Sequence, residues 1–166
     1  MSLTEQRPRA ITLRTRSAYE TRDLAAAMAR AALPGDRLAL VGPLGAGKTQ
    51  FAKGFAVGLG IHDVVNSPSF TLMAEYHGRL PLFHQDLYRL AGTDEALAGG
   101  LLDERQDAGV TLSEWAERLD PIVDPARLTV RLEPLADDDR EVRVSGCDEA
   151  AVRYVEAAAR WREART

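Results

Sequence analysis

The octapeptide Gly42-Pro-Leu-Gly-Ala-Gly-Lys48-Thr49 constrains this chain more than any other feature, because it fits G-x-x-x-x-G-K-[ST] and lies between segments of different periodicity. Before it, Arg37 to Val41 is a short apolar run that predicts a strand. After it, Phe51, Phe55 and Leu59 recur at helical spacing from Gln50 onward, and the pattern stops at Gly60. Strand, glycine loop and helix together form the setting in which this pattern wraps phosphates. The glycines let backbone N–H groups converge on one point, and the helix contributes the positive end of its dipole. Gly45, Ala46, Gly47, Lys48, Thr49 and Gln50 are therefore the expected nucleotide-binding residues. Lys48 would neutralise the β and γ phosphates, and the Thr49 hydroxyl would reach Mg²⁺.

A magnesium-nucleotide site also needs a carboxylate at the end of a neighbouring strand, to hold the metal or to orient the attacking water. Two acids qualify. Asp86 closes the apolar run LPLFHQD and Glu114 closes VTLSE, so both are expected at the carboxyl edge of a parallel sheet, where the phosphate loop also emerges. Which of the two lies nearer the metal stays open. Ser67, Ser69 and Thr71 in NSPSFTL offer hydroxyls beside a proline-fixed bend, in the manner of loops that present a hydroxyl to a γ phosphate. Tyr88-Arg89 follows Asp86 and could reach a phosphate. Trp115 suits either a core position or a stacking platform, while a lone strand histidine such as His84 is usually a satisfied structural residue; His62 and His77 read as loop surface.

The remaining segments supply an α/β frame. Ala10 to Arg14 alternates like an edge strand, and Ser17 is placed to cap a helix from about Tyr19 to Leu33 that ends at Pro34-Gly35. Phe70 to Tyr76 and Leu80 to Leu87 predict a hairpin turning at His77-Gly78-Arg79, and Thr93 to Leu97 a short polar helix. Gly109 to Trp115 predicts a buried strand. Leu128 to Glu133 and Glu141 to Val144 form a second hairpin with its tip at Asp137 to Asp139, and Glu149 to Arg165 is a last helix carrying Val152, Val155, Ala159 and Trp161. No repeat or linker divides the 166 residues, so one P-loop NTPase-like domain is expected, its sheet mostly parallel, flanked by helices and extended by antiparallel strands. Cys147, a single cysteine, fits neither an internal disulfide nor a zinc site, and no run approaches a signal peptide or a membrane span; a cytoplasmic protein is expected. With 21 Lys and Arg against 25 Asp and Glu, the net charge of -4 provides no field to draw RNA unaided.

In their order along the chain, GPLGAGKT, SPSFTL, HQDLYRL and SEW resemble the TsaE (YjeE) family over about Ser17 to Trp115. The resemblance implies a bacterial ATPase required to form N6-threonylcarbamoyladenosine at position 37 of tRNAs reading ANN codons. It implies TsaB and TsaD as partner proteins, with tRNA reached through them. It also implies that Lys48 and Thr49 hold phosphate and Mg²⁺, that Asp86 and Glu114 are functional acids with Trp115 as their neighbour, and that Thr21 lies near the nucleotide. Pro43, Ser69, Ser113 and Ala116 depart from the residues usual in that family, yet none removes a phosphate, metal or acid group. A small-molecule P-loop kinase is the main alternative. Such an enzyme closes an arginine-rich lid over the transferred group, whereas Arg89, Arg105 and Arg118 are scattered singly. A nucleotide-dependent switch is a further reading. A GTPase is disfavoured because no N-K-x-D sequence occurs.

Overall fold

The computed structural model describes residues 9–68, 73–87, 104–115 and 127–166. Along the chain run β1 (Arg9–Thr15), α1 (Ala18–Ala29), β2 (Arg37–Val41), α2 (Lys48–Gly58), β3 (Met73–His77), β4 (Pro81–Asp86), a 3₁₀ turn (Glu104–Ala108), β5 (Val110–Glu114), β6 (Arg127–Pro134), β7 (Arg140–Gly146) and α3 (Glu149–Glu163). The described strands form one sheet in the order β1-β7-β6-β2-β5-β4-β3. Its centre, β6-β2-β5-β4, is parallel, while β3 closes one edge and β7 with β1 the other, all antiparallel. The expected α/β frame is present, with antiparallel strands at both edges of the sheet. Thr71, Arg89, Ser69, Ala116, Arg118 and the expected helix at Thr93 to Leu97 fall outside the described residues.

Register explains how the sheet sets up its carboxyl edge. Leu38 of β2 lies beside Leu112 of β5 and Leu112 beside His84 of β4; one row further on, Leu40, Glu114 and Asp86 are neighbours. One face of these strands therefore passes from Leu82 and Val110, through Leu38, Leu112 and His84, to a row that ends in two acids. On the reverse face Ala39, Phe83, Thr111 and Ser113 are buried as well, as expected of strands sandwiched on both sides.

The helices cover the first face. Phe51, Phe55 and Leu59 of α2 are fully buried, and α1 packs so closely on α2 that a Cβ at Gly54 would stand 2.1 Å from the Arg22 carbonyl oxygen. Ser17 caps α1 as expected, its hydroxyl accepting from the Glu20 N–H at 3.1 Å, although α1 ends at Ala29, short of Leu33. The buried side of α3 differs from its expected stripe. Ala151, Tyr154, Ala157, Ala158 and Trp161 face the core, with Tyr154 against Phe55, while Val152, Val155 and Ala159 are only partly buried. A polar contact fixes that rotation. The Asp36 carboxylate at the entry to β2 accepts both Nη1 (2.9 Å) and Nη2 (2.7 Å) of Arg153 and the Tyr154 hydroxyl (2.7 Å). This bidentate clamp ties α3 to the start of the strand that delivers the phosphate loop.

Two outcomes follow from the clamp. Asp36→Ala leaves the buried Tyr154 hydroxyl without its acceptor and the half-buried Arg153 guanidinium with only its bond to the Ala31 carbonyl, and is expected to cost about 2 kcal/mol, read as a lower urea midpoint at unchanged slope. An unmoved midpoint contradicts the clamp. Burial, followed by the neighbouring Asp36 carboxylate, raises the Tyr154 hydroxyl well above the usual tyrosine range, and the hydrogen bond to Asp36 raises Arg153. The folded chain thus keeps the Tyr154 proton while the unfolded chain releases it near pH 10, so stability should fall above that pH by up to about 1.4 kcal/mol per pH unit for this proton. Tyr154→Phe should lessen the alkaline loss measured by denaturation; equal slopes in both proteins contradict it.

Candidate functional site

The phosphate loop leaves the end of β2 and enters α2 through Gly47, whose φ of 104° lies in the left-handed region that a side chain disfavours. Helix α2 begins at Lys48 after an N-cap glycine, Gly47, that has no side chain to cap it, the kind of helix N-terminus that receives an anion. Lys48 is buried. Its ammonium donates to the Gly42 carbonyl at 2.7 Å and stands 3.5 Å from the centre of the Trp115 ring. Trp115 itself has φ 59°, a rare conformation for a bulky residue, immediately after Glu114. Beside it the strand ladder continues, because the Leu87 N–H donates to the Glu114 carbonyl at 3.0 Å. The cation–π contact and the local strain together place the aromatic ring against the loop's lysine.

A cavity of about 570 Å³ opens above this edge, lined by Gly45, Ala46, Gly47, Lys48, Thr49, Gln50, Ser67, Asp86, Glu114, Trp115, Leu44 and Arg140. Its size suits a nucleotide. Asp86 and Glu114 are 6% and 3% exposed, and each gives one oxygen to a neighbour. The Ser67 hydroxyl donates to Asp86 Oδ2 at 2.6 Å, and His84 Nε2 lies 2.6 Å from Glu114 Oε2. A smaller adjoining cavity of about 60 Å³ is lined by Thr21, Ala18, Gly47, Gln50, Asp138 and Arg140. Thr21 therefore borders the loop from the side, and its hydroxyl shares a 2.7 Å hydrogen bond with that of Thr15. The structure brings together every expected site residue it describes.

Arg140 was not foreseen. As the first residue of β7 it pairs with Pro134 at the end of β6, which puts it at the carboxyl edge of the parallel core. All three guanidinium nitrogens are engaged: Nε donates to the Ala46 carbonyl (3.1 Å), Nη2 to that of Gly45 (3.1 Å) and Nη1 to that of Asp139 (2.9 Å). It braces the phosphate loop from behind. The only sequence signal was its place just past a hairpin tip, which no motif distinguishes from a surface arginine.

Among the described residues no group of three or more His, Cys, Asp and Glu side chains is placed to hold a metal, and no helix is long and apolar enough to cross a membrane. The oxygen donors at the loop, namely Thr49, Asp86 and Glu114, are hard ligands of the kind Mg²⁺ takes one or two at a time, with waters and phosphates completing the shell.

A strand-loop-helix phosphate cradle at the carboxyl edge of a parallel sheet, with two acids in register beside it, defines a P-loop nucleotide-binding protein. The family model described as "Threonylcarbamoyl adenosine biosynthesis protein TsaE" matches residues 15–142, and the chain belongs to that family. It is 46% identical over 130 residues to the tRNA threonylcarbamoyladenosine biosynthesis protein TsaE of Bacillus subtilis, covering 78% of this chain and 81% of that one. It is 41% identical over 131 residues to the protein of that name from Treponema pallidum, covering 79% and 97%. The crystal structure of Bacillus subtilis YdiB is similar throughout, with a TM-score of 0.72 at 36% identity over 96% of this chain and 99% of that one.

Because Arg140 holds two loop carbonyls, Arg140→Ala should loosen the cradle and weaken ATP binding about tenfold while the fold persists. Calorimetric titration that returned an unchanged affinity would contradict the bracing role.

Proposed function

We propose that the chain is a Mg²⁺-dependent ATPase serving formation of the threonylcarbamoyladenosine modification of tRNA, acting in the cytoplasm with the TsaB and TsaD proteins and reaching tRNA through them. One observation carries the reading: Lys48, Thr49, Asp86 and Glu114 line a single cavity with the phosphate loop. On this reading the whole chain, residues 1–166, is one ATPase domain.

Backbone N–H groups from Gly45 to Gln50 would cradle the phosphates, and Lys48 would give up its contacts with Gly42 and the Trp115 ring to neutralise the β and γ oxygens. Thr49 with Asp86 and Glu114 would hold Mg²⁺. The metal, once bound, supplies positive charge to the β and γ oxygens. An acid that held the metal only through water would also be placed to orient the attacking water. Thr21 lines the smaller cavity beside the loop, which shares Gly47 and Gln50 with the main one, and the rest of the nucleotide would lie towards it. Ser67 steadies Asp86; Thr71 and Arg89 would act from segments outside the described residues.

The alternative, a small-molecule kinase, needs arginines free to close over a transferred phosphoryl group. Arg140 is occupied by the loop, and Arg105 is paired with Glu75 at 3.3 Å. Phosphate release with no acceptor present separates the two.

Lys48→Ala should abolish tight ATP binding in a folded protein, since the remaining N–H groups carry only partial charge. Asp86→Asn and Glu114→Gln keep shape and lose charge, so hydrolysis should fail while nucleotide binding largely survives. Wild-type turnover in both acid variants under saturating Mg²⁺ would refute their assignment. The isolated protein should hydrolyse ATP slowly, because no arginine of the described cavity is free to act as a finger, a contribution worth roughly 10³ to 10⁵ in rate when a partner provides it. Steady-state phosphate release should rise with TsaB and TsaD and not with tRNA alone. Full activity of the lone protein, unchanged by those partners, would overturn this and favour an independent enzyme.

A further inference from the structure

His84 is fully buried in the middle of β4, one row behind the two acids, and its role is not explained by packing. Its Nε2 lies 2.6 Å from Glu114 Oε2, across the β4–β5 ladder. Its other ring nitrogen, Nδ1, is buried and has no hydrogen-bond partner among the described residues, so Glu114 is the one acceptor these residues offer the ring. A carboxylate oxygen accepts, so Nε2 donates, its N–H aimed at one oxygen of Glu114.

We propose that His84 is a positioning residue for Glu114. The hydrogen bond takes Oε2 and fixes the carboxylate's rotation, leaving Oε1, for which the described residues supply no hydrogen bond, to the cavity that Glu114 lines. The Ser67 hydroxyl likewise donates to one oxygen of Asp86. The arrangement resembles the way ligating side chains are oriented by partners that never touch the ligand. The inference rests on the reading of Glu114 as a functional acid, and its test separates the two claims.

Three variants and one spectrum decide it. His84→Leu removes the donor, and His84→Gln presents an amide N–H at about the reach of Nε2. Steady-state kinetics under saturating Mg²⁺ should give a kcat about 10- to 100-fold lower for His84→Leu, with KM for ATP little changed, and recovery of most of that loss in His84→Gln. In the ¹⁵N spectrum of the unmodified, nucleotide-free protein, the His84 ring should display a protonated Nε2. A folded His84→Leu with wild-type kcat, equal losses in the leucine and glutamine variants, or a ring with an unprotonated Nε2 would each overturn the proposal. Should His84→Leu fail to fold, the spectrum and the glutamine variant decide. Glu114→Gln serves as the control. If it hydrolyses ATP at the wild-type rate, the role of Glu114 itself falls; if it is inactive while His84→Leu is not, only the positioning role falls.

Discussion

The parallel ladder of β6, β2, β5 and β4 is the constraint on which the site depends. Parallel neighbours end at the same edge, and the register of Leu40, Glu114 and Asp86 brings two carboxylates from separate stretches of chain to the mouth of one glycine loop. A one-residue slip of β4 or β5 would turn its acid to the other face of the sheet. That register is held by apolar side chains one row back, where Leu38 and Leu112 share one core with Phe51 and Phe55, and by Asp36, which anchors the start of β2 to α3. Core packing and site geometry are therefore one problem. The rows that stabilise the sheet also place its acids.

Electrostatics divides the labour at this edge. The loop offers N–H groups and a lysine to phosphate, and the acids face it from the neighbouring strands. Side-chain donors hold those acids, a serine hydroxyl for Asp86 and an imidazole N–H for Glu114. Arg140, which also lines the cavity, directs its charge to carbonyl groups of the loop and so shapes the cradle. On the proposed function, such a site would bind the charged nucleotide and leave transition-state charge to be met by a partner.

Much of this was legible in the sequence because the loop pattern carries its own mechanism and because strands that end in an acid announce their polarity. GPLGAGKT, Asp86 and Glu114 all stand where their residue types required. Other features were hidden by contacts distant in sequence. Helix α3 buries Trp161 of its apparent apolar stripe but is otherwise rotated from it, because Tyr154 goes inward to reach Asp36 and brings Ala157 and Ala158 inward in place of Val152, Val155 and Ala159. Arg140 looks like any arginine after a hairpin until the pairing of β6 and β7 brings it behind the loop. His84 read as a satisfied structural residue, and what the periodicity of one strand could not reveal was that its partner would be an acid of the next strand.

The most direct test of the central claim is a crystal structure with a non-hydrolysable ATP analogue and Mn²⁺ in place of Mg²⁺, the metal located by its anomalous scattering. The account predicts a triphosphate wrapped by residues 45–50, with Lys48 moved from Gly42 to the terminal phosphates. It places the metal peak within coordination reach, directly or through one water, of Thr49 and at least one of Asp86 and Glu114. A nucleotide bound elsewhere, or a metal peak remote from both acids, would contradict it.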